Sequence, residues 1–423
     1  MGNISFIITV AKNELEYIKL LLKSLKTNLD GDNHEIVIFL DSDNQNTFEH
    51  LLSEKENFND LKIIKNELPF PIGYQRNKTL LVETAKYDIV SYLQSDMVIS
   101  PHYDTEILKH VKRGRILSST RIEPPLHGES SYTITKNFGL TPSEFTLEEW
   151  NDYSVTVKED KELNYFFAPI TFFKQDWLFL GGYDTLFRRS REDSDFVHRC
   201  LQNGIELKQT FSTNVYHFTC VSSRGKDWFN QTNYEAQERG KLQKKADSIE
   251  LRRFVRKWGQ FNHGESNLYK FDIDLVVKNY NQQYLNIIEG IEPYFSRVWL
   301  DESVDLSYFH NKTYTEHELA NILLNLSDDE WNSYKHLYNT VDYSEIYLHG
   351  EPKDYSIKIE LDFHKLNMNV FLGNLKHLYE ILNQNEVGTY NLDDVVIYIK
   401  EKKLMDNSKL DNPPFDYNLI SIH

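Results

Sequence analysis

Along the first hundred residues, apolar positions follow two alternating rhythms. Unbroken apolar runs at 5–10, 35–40, 61–65 and 88–93 predict short strands buried on both faces. Between them Tyr17, Ile18, Leu21, Leu22 and Leu25 recur at helical spacing, and 48–52 and 73–84 carry further helical patterns. This alternation predicts an α/β fold, Rossmann-like, with a mainly parallel sheet flanked by helices. Ligands in such sheets bind beyond the carboxyl ends of the strands. Two of the predicted strands end there in acid, at Asp41-Ser42-Asp43 and at Gln94-Ser95-Asp96.

Residues 114–164 are less regular and rich in Pro, Ser, Thr and Glu, which predicts strands and loops around an acceptor. A strand is expected over 165–173, a turn at Gly181-Gly182-Tyr183-Asp184, and a helix over 192–202 that buries Phe196, Val197, Cys200 and Leu201. Another strand ends in Val215-Tyr216-His217. A basic helix over 239–259 then carries Lys241, Lys244, Lys245, Arg252, Arg253, Arg256 and Lys257. The texture changes after Gly264. Strand patterns at 271–277, 356–361 and 395–400 and helical ones at 316–326 and 370–382 predict a smaller α/β module. The expected division is therefore a first domain over 1–265 and an acidic C-terminal domain over 271–423 whose role no motif indicates.

Composition sharpens this picture in three ways. A chain of 423 residues exceeds one ordinary core. With 26% charged residues and no long apolar run, a soluble protein is expected. The N-terminal apolar stretch has no basic segment before it, and Phe6 breaks the myristoylation pattern, so neither a signal peptide nor a lipid anchor is expected. Only Cys200 and Cys220 are present, which fits a reducing cytoplasm, and the Asn-x-Ser/Thr matches at Asn3, Asn77 and Asn311 are then chance. Of the net charge of −17, residues 271–423 hold −14, so the first 270 residues are close to neutral. Neither G-x-G-x-x-G after the first strand nor G-x-x-x-x-G-K-[ST] occurs, which disfavours dinucleotide-binding and P-loop domains.

The ordered pieces FIITVAKNE, IVIFLDSDNQNT, GYQRNKTL, YDIVSYLQSDMVISPHY, GGYDTLFRRSREDSDFVHRCLQNG and VYHF resemble the GT-A fold of family-2 glycosyltransferases over about the first 265 residues. The resemblance implies an inverting enzyme that uses a nucleotide sugar, with a UDP-sugar favoured, and a divalent cation, Mn²⁺ or Mg²⁺. The family's Asp-x-Asp is Gln94-Ser95-Asp96 here, so the first acid is missing and the implied metal ligand is Asp96. His217 stands where many members supply another metal contact, and imidazole with carboxylate suits Mn²⁺. The Glu192-Asp193 pair opens a helix, and the second acid is implied as the base that takes the acceptor proton. Acids in a first helical turn also serve simply to complement the helix dipole, and Asp195 is open to that reading. Glu14, Asp41, Arg76, Asn77, Ser95 and Gly182 are the expected donor-binding positions. Arg76 can present a planar fork to a diphosphate, while Tyr183 and Asp184 are candidates for sugar contacts.

A glycan acceptor is the family default. The basic helix, with Trp228, Phe229 and Trp258 nearby, keeps open a phosphate-bearing acceptor or a modified base in phage DNA, although nucleic acid is not favoured and a solvated face is the simpler account. Gln94 keeps open a nucleotide-sugar-binding scaffold without activity. A nucleotidyltransferase would need a glycine-rich loop after the first strand, and residues 9–14 contain no glycine.

Overall fold

The protein is described by a computed structural model covering residues 2–11, 14–41, 45–68, 72–126, 130–188, 190–219, 247–260, 269–311, 326–392 and 395–423. The chain divides into two compact units, residues 1–244 with 410–423, and residues 245–409. The division differs from the expected break after 265, because the last fourteen residues return to the first unit.

The first unit opens as the pattern predicts, with β1 (Ile4–Val10), α1 (Leu15–Asn28), β2 (Glu35–Leu40), α2 (Gln45–Glu54), β3 (Leu61–Asn66), α3 (Tyr74–Thr84) and β4 (Ile89–Gln94). It continues through β5 (Met97–Ile99), α4 (Tyr103–His110), β6 (Arg115–Glu123), β7 (Thr133–Thr135), α5 (Leu147–Thr156), β8 (Glu162–Leu163), β9 (Ile170–Phe173), α6 (Lys174–Leu180), α7 (Glu192–Gln202) and β10 (Glu206–His217). Strands β3, β2, β1 and β4 lie side by side and parallel. Every residue of β1 and β2 is buried, as apolar strands covered on both faces require. Beyond β4 the sheet turns mixed. Strand β9 runs antiparallel between β4 and β6, β6 pairs parallel with β10, and β10 pairs antiparallel with β5. The final strand, Ile420–Ile422, closes the other edge antiparallel to β3.

The segment expected to carry strands and loops contains β6, a nine-residue strand inside the sheet, and in addition the helix α5, whose Trp150 is buried. The strand expected over 165–173 is confined to its last four residues, leaving Tyr165, Phe166 and Phe167 in a loop.

In the second unit, a helix over 247–258 leads into a six-stranded sheet. Its strands stand in the order Tyr347–His349, Arg297–Leu300, Ile273–Lys278, Ile357–Asp362, Val395–Ile399 and Gly388–Leu392. The first four are parallel and the last two antiparallel, so this is the α/β module that was expected. The predicted helix over 370–382 is two helices, Met368–Lys376 and Leu378–Gln384, and most of the one expected over 316–326 lies outside the described residues.

The basic helix does not present a uniform charged face. Arg252 and Arg256 both bind the fully buried carboxylate of Glu292, at 3.1 and 2.7 Å, and Arg253 pairs with Glu250 at 3.0 Å. Trp258 is buried as well. These side chains hold the unit together, which removes them from any polyanion-binding surface. Lys241, Lys244, Lys245, Trp228 and Phe229 lie outside the described residues. Among the described residues, no helix is long and apolar enough to cross a membrane.

Candidate active site

Pairing of β10 with β5 builds the centre of the site. His217 lies opposite Met97, and the amide of Phe218 donates to the carbonyl of Asp96 at 3.1 Å. The register carries the His217 imidazole to the end of the strand pair beside the Asp96 carboxylate, with Nε2 3.6 Å from Oδ2. Both side chains are nearly enclosed, at 9% and 7% exposure. The other ring nitrogen, Nδ1, lies 2.7 Å from Oε1 of Glu123 at the end of β6. A carboxylate only accepts, so this contact puts a proton on Nδ1, and a neutral ring then turns its Nε2 lone pair to Asp96. The Nε2–Oδ2 separation is too long for a good hydrogen bond. Asp96 Oδ2 and His217 Nε2 would be the pair to hold a divalent cation there.

Glu123 was not found from the sequence. The signal was there in the Arg-Ile-Glu that precedes Pro124, but it lay in the stretch read as irregular. On the same strand Arg121 lies 3.5 Å from Glu123, donates to the carbonyl of Ala168, and stacks over the Phe167 ring at 4.8 Å.

Glu14 reaches the site from the loop before α1. Its Oε2 accepts from Ser95 Oγ at 2.6 Å and from the amide of Ala11 at 2.7 Å. Its Oε1 is buried with no hydrogen-bond partner among the described residues. Burial pushes this carboxyl up to about 7 and the charge of Asp96 adds to the rise, against the two hydrogen bonds. Glu14, Ser95 and Asp96 are thus one connected group, as expected from strands β1 and β4 lying adjacent and parallel. Asp96 and His217 would hold a hard divalent cation, and the orphaned Oε1 of Glu14 is left as an acceptor for a bound ligand. Among the described residues, no three acidic, His or Cys side chains by themselves enclose a metal. A diphosphate would therefore have to complete the coordination.

Asp41 is buried at the end of β2, where its Oδ1 accepts from the amide of Ile72 at 2.9 Å and from Asn66 at 3.3 Å. Asp43 and the side chains of Arg76 and Asn77 lie outside the described residues, although 76 and 77 fall in helix α3. The next residue, Lys78, is buried between the rings of Tyr92 and Tyr183, 4.8 and 4.7 Å from their centroids. The sequence reading passed over it.

At the start of α7 the three acids separate into different environments. Asp193 is exposed, with Oδ1 accepting from the amide of Ser194 at 2.7 Å, and Glu192 is half-buried. Asp195 is fully buried and pairs with Arg199 at 2.9 Å, while Arg199 donates to the carbonyls of Leu180 and Gly182. Asp195 is therefore a packing residue, and Asp193 is the acid left facing solvent. Both Asp193 and Glu123 raise the Tyr165 phenol electrostatically, after its burial and the neighbouring Tyr132.

The Gly181-Gly182 turn serves packing. Both residues have left-handed φ, 79° and 71°, and a Cβ on Gly182 would sit 2.7 Å from Thr79 Oγ1 and 2.8 Å from Trp177 Nε1. Tyr183, expected to meet sugar, is buried against Trp177 and Phe196. Asp184 is buried as well and accepts from the amide of Leu186 at 2.8 Å, closing the turn.

Residues 6–190 match the family model of glycosyl transferase family 2. No protein of curated function matches the chain. Among solved structures, the chain is similar to GalNAc-T7 with UDP, GalNAc and Mn²⁺, at 14% identity over 59% of this chain and 51% of that one, with a TM-score of 0.40. It is also similar to S. aureus TarS, at 14% identity over 60% and 43% with a TM-score of 0.37. For S. aureus TarS 1-349 in complex with UDP-GlcNAc the values are 15%, 60%, 72% and 0.36. The chain spans about half the length of the first two, and likeness at this level does not bear on the site.

Proposed function

We propose that this chain, whose residues 6–190 carry a glycosyl transferase family 2 domain, transfers a sugar from a nucleotide-sugar donor to an acceptor hydroxyl with inversion at the anomeric carbon. The observation that supports this best is the meeting of Asp96 and His217, 3.6 Å apart, with Glu123 behind the imidazole. Residues distant in sequence converge there on one small, nearly enclosed, oxygen- and nitrogen-rich spot.

In this reading Asp96 Oδ2 and His217 Nε2 hold Mn²⁺ or Mg²⁺. The cation supplies positive charge against the diphosphate as it leaves. Glu14 offers its unpartnered Oε1 to an N–H or O–H of the nucleotide, Asp41 and Ser95 belong to the same donor side, and Arg76 and Asn77 are assigned to the nucleotide from the sequence. Gly182 shapes the wall behind it by permitting the turn. The acceptor oxygen attacks the anomeric carbon while the bond from that carbon to the phosphate oxygen breaks. Asp193 takes the acceptor's proton, with Glu192 beside it, and the electron pair of the broken bond leaves on the nucleoside diphosphate. Exposure of Asp193 in the absence of acceptor is compatible with this, because the bound acceptor would desolvate it.

The test is incubation with a panel of nucleotide sugars, UDP-sugars first, and Mn²⁺. Slow release of nucleoside diphosphate is expected, abolished by Asp96→Ala. Replacing Asp193 by Asn should cut acceptor-dependent turnover by roughly 10²- to 10⁴-fold with UDP affinity retained. A chain that binds no nucleotide sugar, or an Asp96→Ala variant that behaves as the parent, refutes the reading. Binding without any turnover would favour a scaffold role.

A further inference from the structure

Two loops that the mechanism leaves unused place a flat aromatic wall beside the site. The rings of Tyr132 and Tyr165 stack at 3.7 Å with 8° between their planes. Phe167 meets Tyr165 edge-on at 5.3 Å. Tyr165 is 37% exposed, whereas Tyr92, Tyr103 and Tyr216 of the same unit are buried. The wall is anchored through backbone. Strand β7, which Tyr132 precedes, pairs with the end of β6, and Gln209 donates to the carbonyl of Tyr132 at 2.8 Å. Tyr165 follows β8, which pairs with β10, and the amide of Phe167 donates to Ser118 on β6 at 3.1 Å. The strands that carry Glu123 and His217 therefore also carry the wall.

Burial first, then the neighbouring Tyr132, holds the Tyr165 phenol above its usual range. Asp193 and Glu123 add to this and Arg121 opposes it. Direct contacts join the wall to the metal-side cluster: Tyr165 meets Phe167, Arg121 stacks over Phe167 and lies 3.5 Å from Glu123, and Glu123 holds His217.

We infer that Tyr132 and Tyr165 form the acceptor subsite of the proposed transferase, and that the acceptor hydroxyl belongs to a cyclic sugar. A pyranose offers a flat C–H face to stacked rings and keeps its hydroxyls at the rim, which is how aromatic and polar groups share a carbohydrate site. An open-chain polyol phosphate has no such face. Its charge would meet Asp193 and Glu123, while Arg121 is already engaged by Glu123 and by the Ala168 carbonyl.

This inference rests on the transferase reading, and the experiment separates the two. The full chain is mixed with Mn²⁺ and the UDP-sugar it hydrolyses, then with methyl pyranosides or glycerol 3-phosphate, and UDP release is followed. Stimulation by pyranosides is expected, with Tyr165→Ala raising their KM about tenfold. Tyr165→Phe, which keeps the ring, should stay close to the parent, and UDP affinity by calorimetry should be unchanged in both variants. UDP binding without pyranoside stimulation overturns the acceptor assignment, as does stimulation by glycerol 3-phosphate alone or a pyranoside KM that Tyr165→Ala does not move. Absence of UDP binding overturns the transferase reading beneath it.

Discussion

Replacing Glu123 should weaken metal binding although Glu123 is not itself a proposed ligand. Its carboxylate fixes the imidazole of His217 with the proton on Nδ1, 2.7 Å away, and leaves the Nε2 lone pair towards Asp96. In Glu123→Ala both tautomers become available, the ring can rotate, and the nitrogen facing Asp96 loses the basicity that a hydrogen-bonded carboxylate lends it. Loss of such a partner typically lowers metal affinity by about 10- to 100-fold. Glu123→Gln keeps an acceptor for Nδ1 without the charge and should fall near the lower bound. The assay is Mn²⁺ titration in the presence of UDP, with free Mn²⁺ read by electron paramagnetic resonance. UDP is included because Asp96 and His217 alone give too few ligands for tight binding. Arg121 loses its 3.5 Å neighbour in both variants, so thermal melting must show that they remain folded at the assay temperature. The reasoning fails if Glu123→Ala binds Mn²⁺ as the parent does while His217→Ala does not, since His217 would then need no orientation.

Other consequences follow from groups outside the site. Asp104 is buried and held at about 2, because hydrogen bonds from His34 and from the amides of Asp30, Gly31 and Thr105 outweigh the upward push of burial. Its folded value lies below the ordinary 3.8, so its contribution is present above that pH and is lost as pH falls towards 2. Discounted for partial solvent access, this amounts to roughly 1–2 kcal/mol. Thermal melts between pH 5 and about 2 should show a steeper loss for the parent than for Asp104→Asn. In the second unit, Glu292→Ala leaves Arg256 buried without its carboxylate, and a loss of about 3–5 kcal/mol is expected in denaturant unfolding. Gly182→Ala should cost about 1–3 kcal/mol through its φ of 71° and the contacts its Cβ would make, read as a drop in melting temperature.

What the sequence could reveal depended on whether the determinant was local. Strands β1 and β2 are legible because they are apolar-rich runs buried on both faces, β3 and β4 because apolar residues dominate their buried centres, and α7 because Phe196 and Cys200 recur one turn apart against its charged start. Strand β6, expected only as one of the unplaced strands in 114–164, is hard to bound for the opposite reason. Its Ser118, Ser119 and Thr120 are polar and buried, satisfied by partners such as Tyr103, Thr210 and Thr213 that lie far away in sequence. A polar strand held by distant hydroxyls has no apolar rhythm to read. The same distance hid Glu123, whose significance exists only once β6 and β10 are paired, and it made the basic helix misleading. Charge alone cannot separate a solvated arginine from one turned inward to a buried Glu292.

The acids at the start of α7 carry this distinction furthest. Glu192, Asp193 and Asp195 share one turn and one sign, and all are favoured by the same helix dipole. Arg199, one turn on, takes Asp195 into the core and fixes the turn at Gly182 through the same guanidinium. That pairing fixes the first turn, on which Asp193 stays exposed. If this is how the proposed base is aimed, Arg199→Lys should harm turnover more than UDP binding, because an ammonium cannot hold Asp195, Leu180 and Gly182 in one planar fork. Equal losses in turnover and UDP affinity would instead mark Arg199 as general scaffolding and leave the orientation of Asp193 to other contacts.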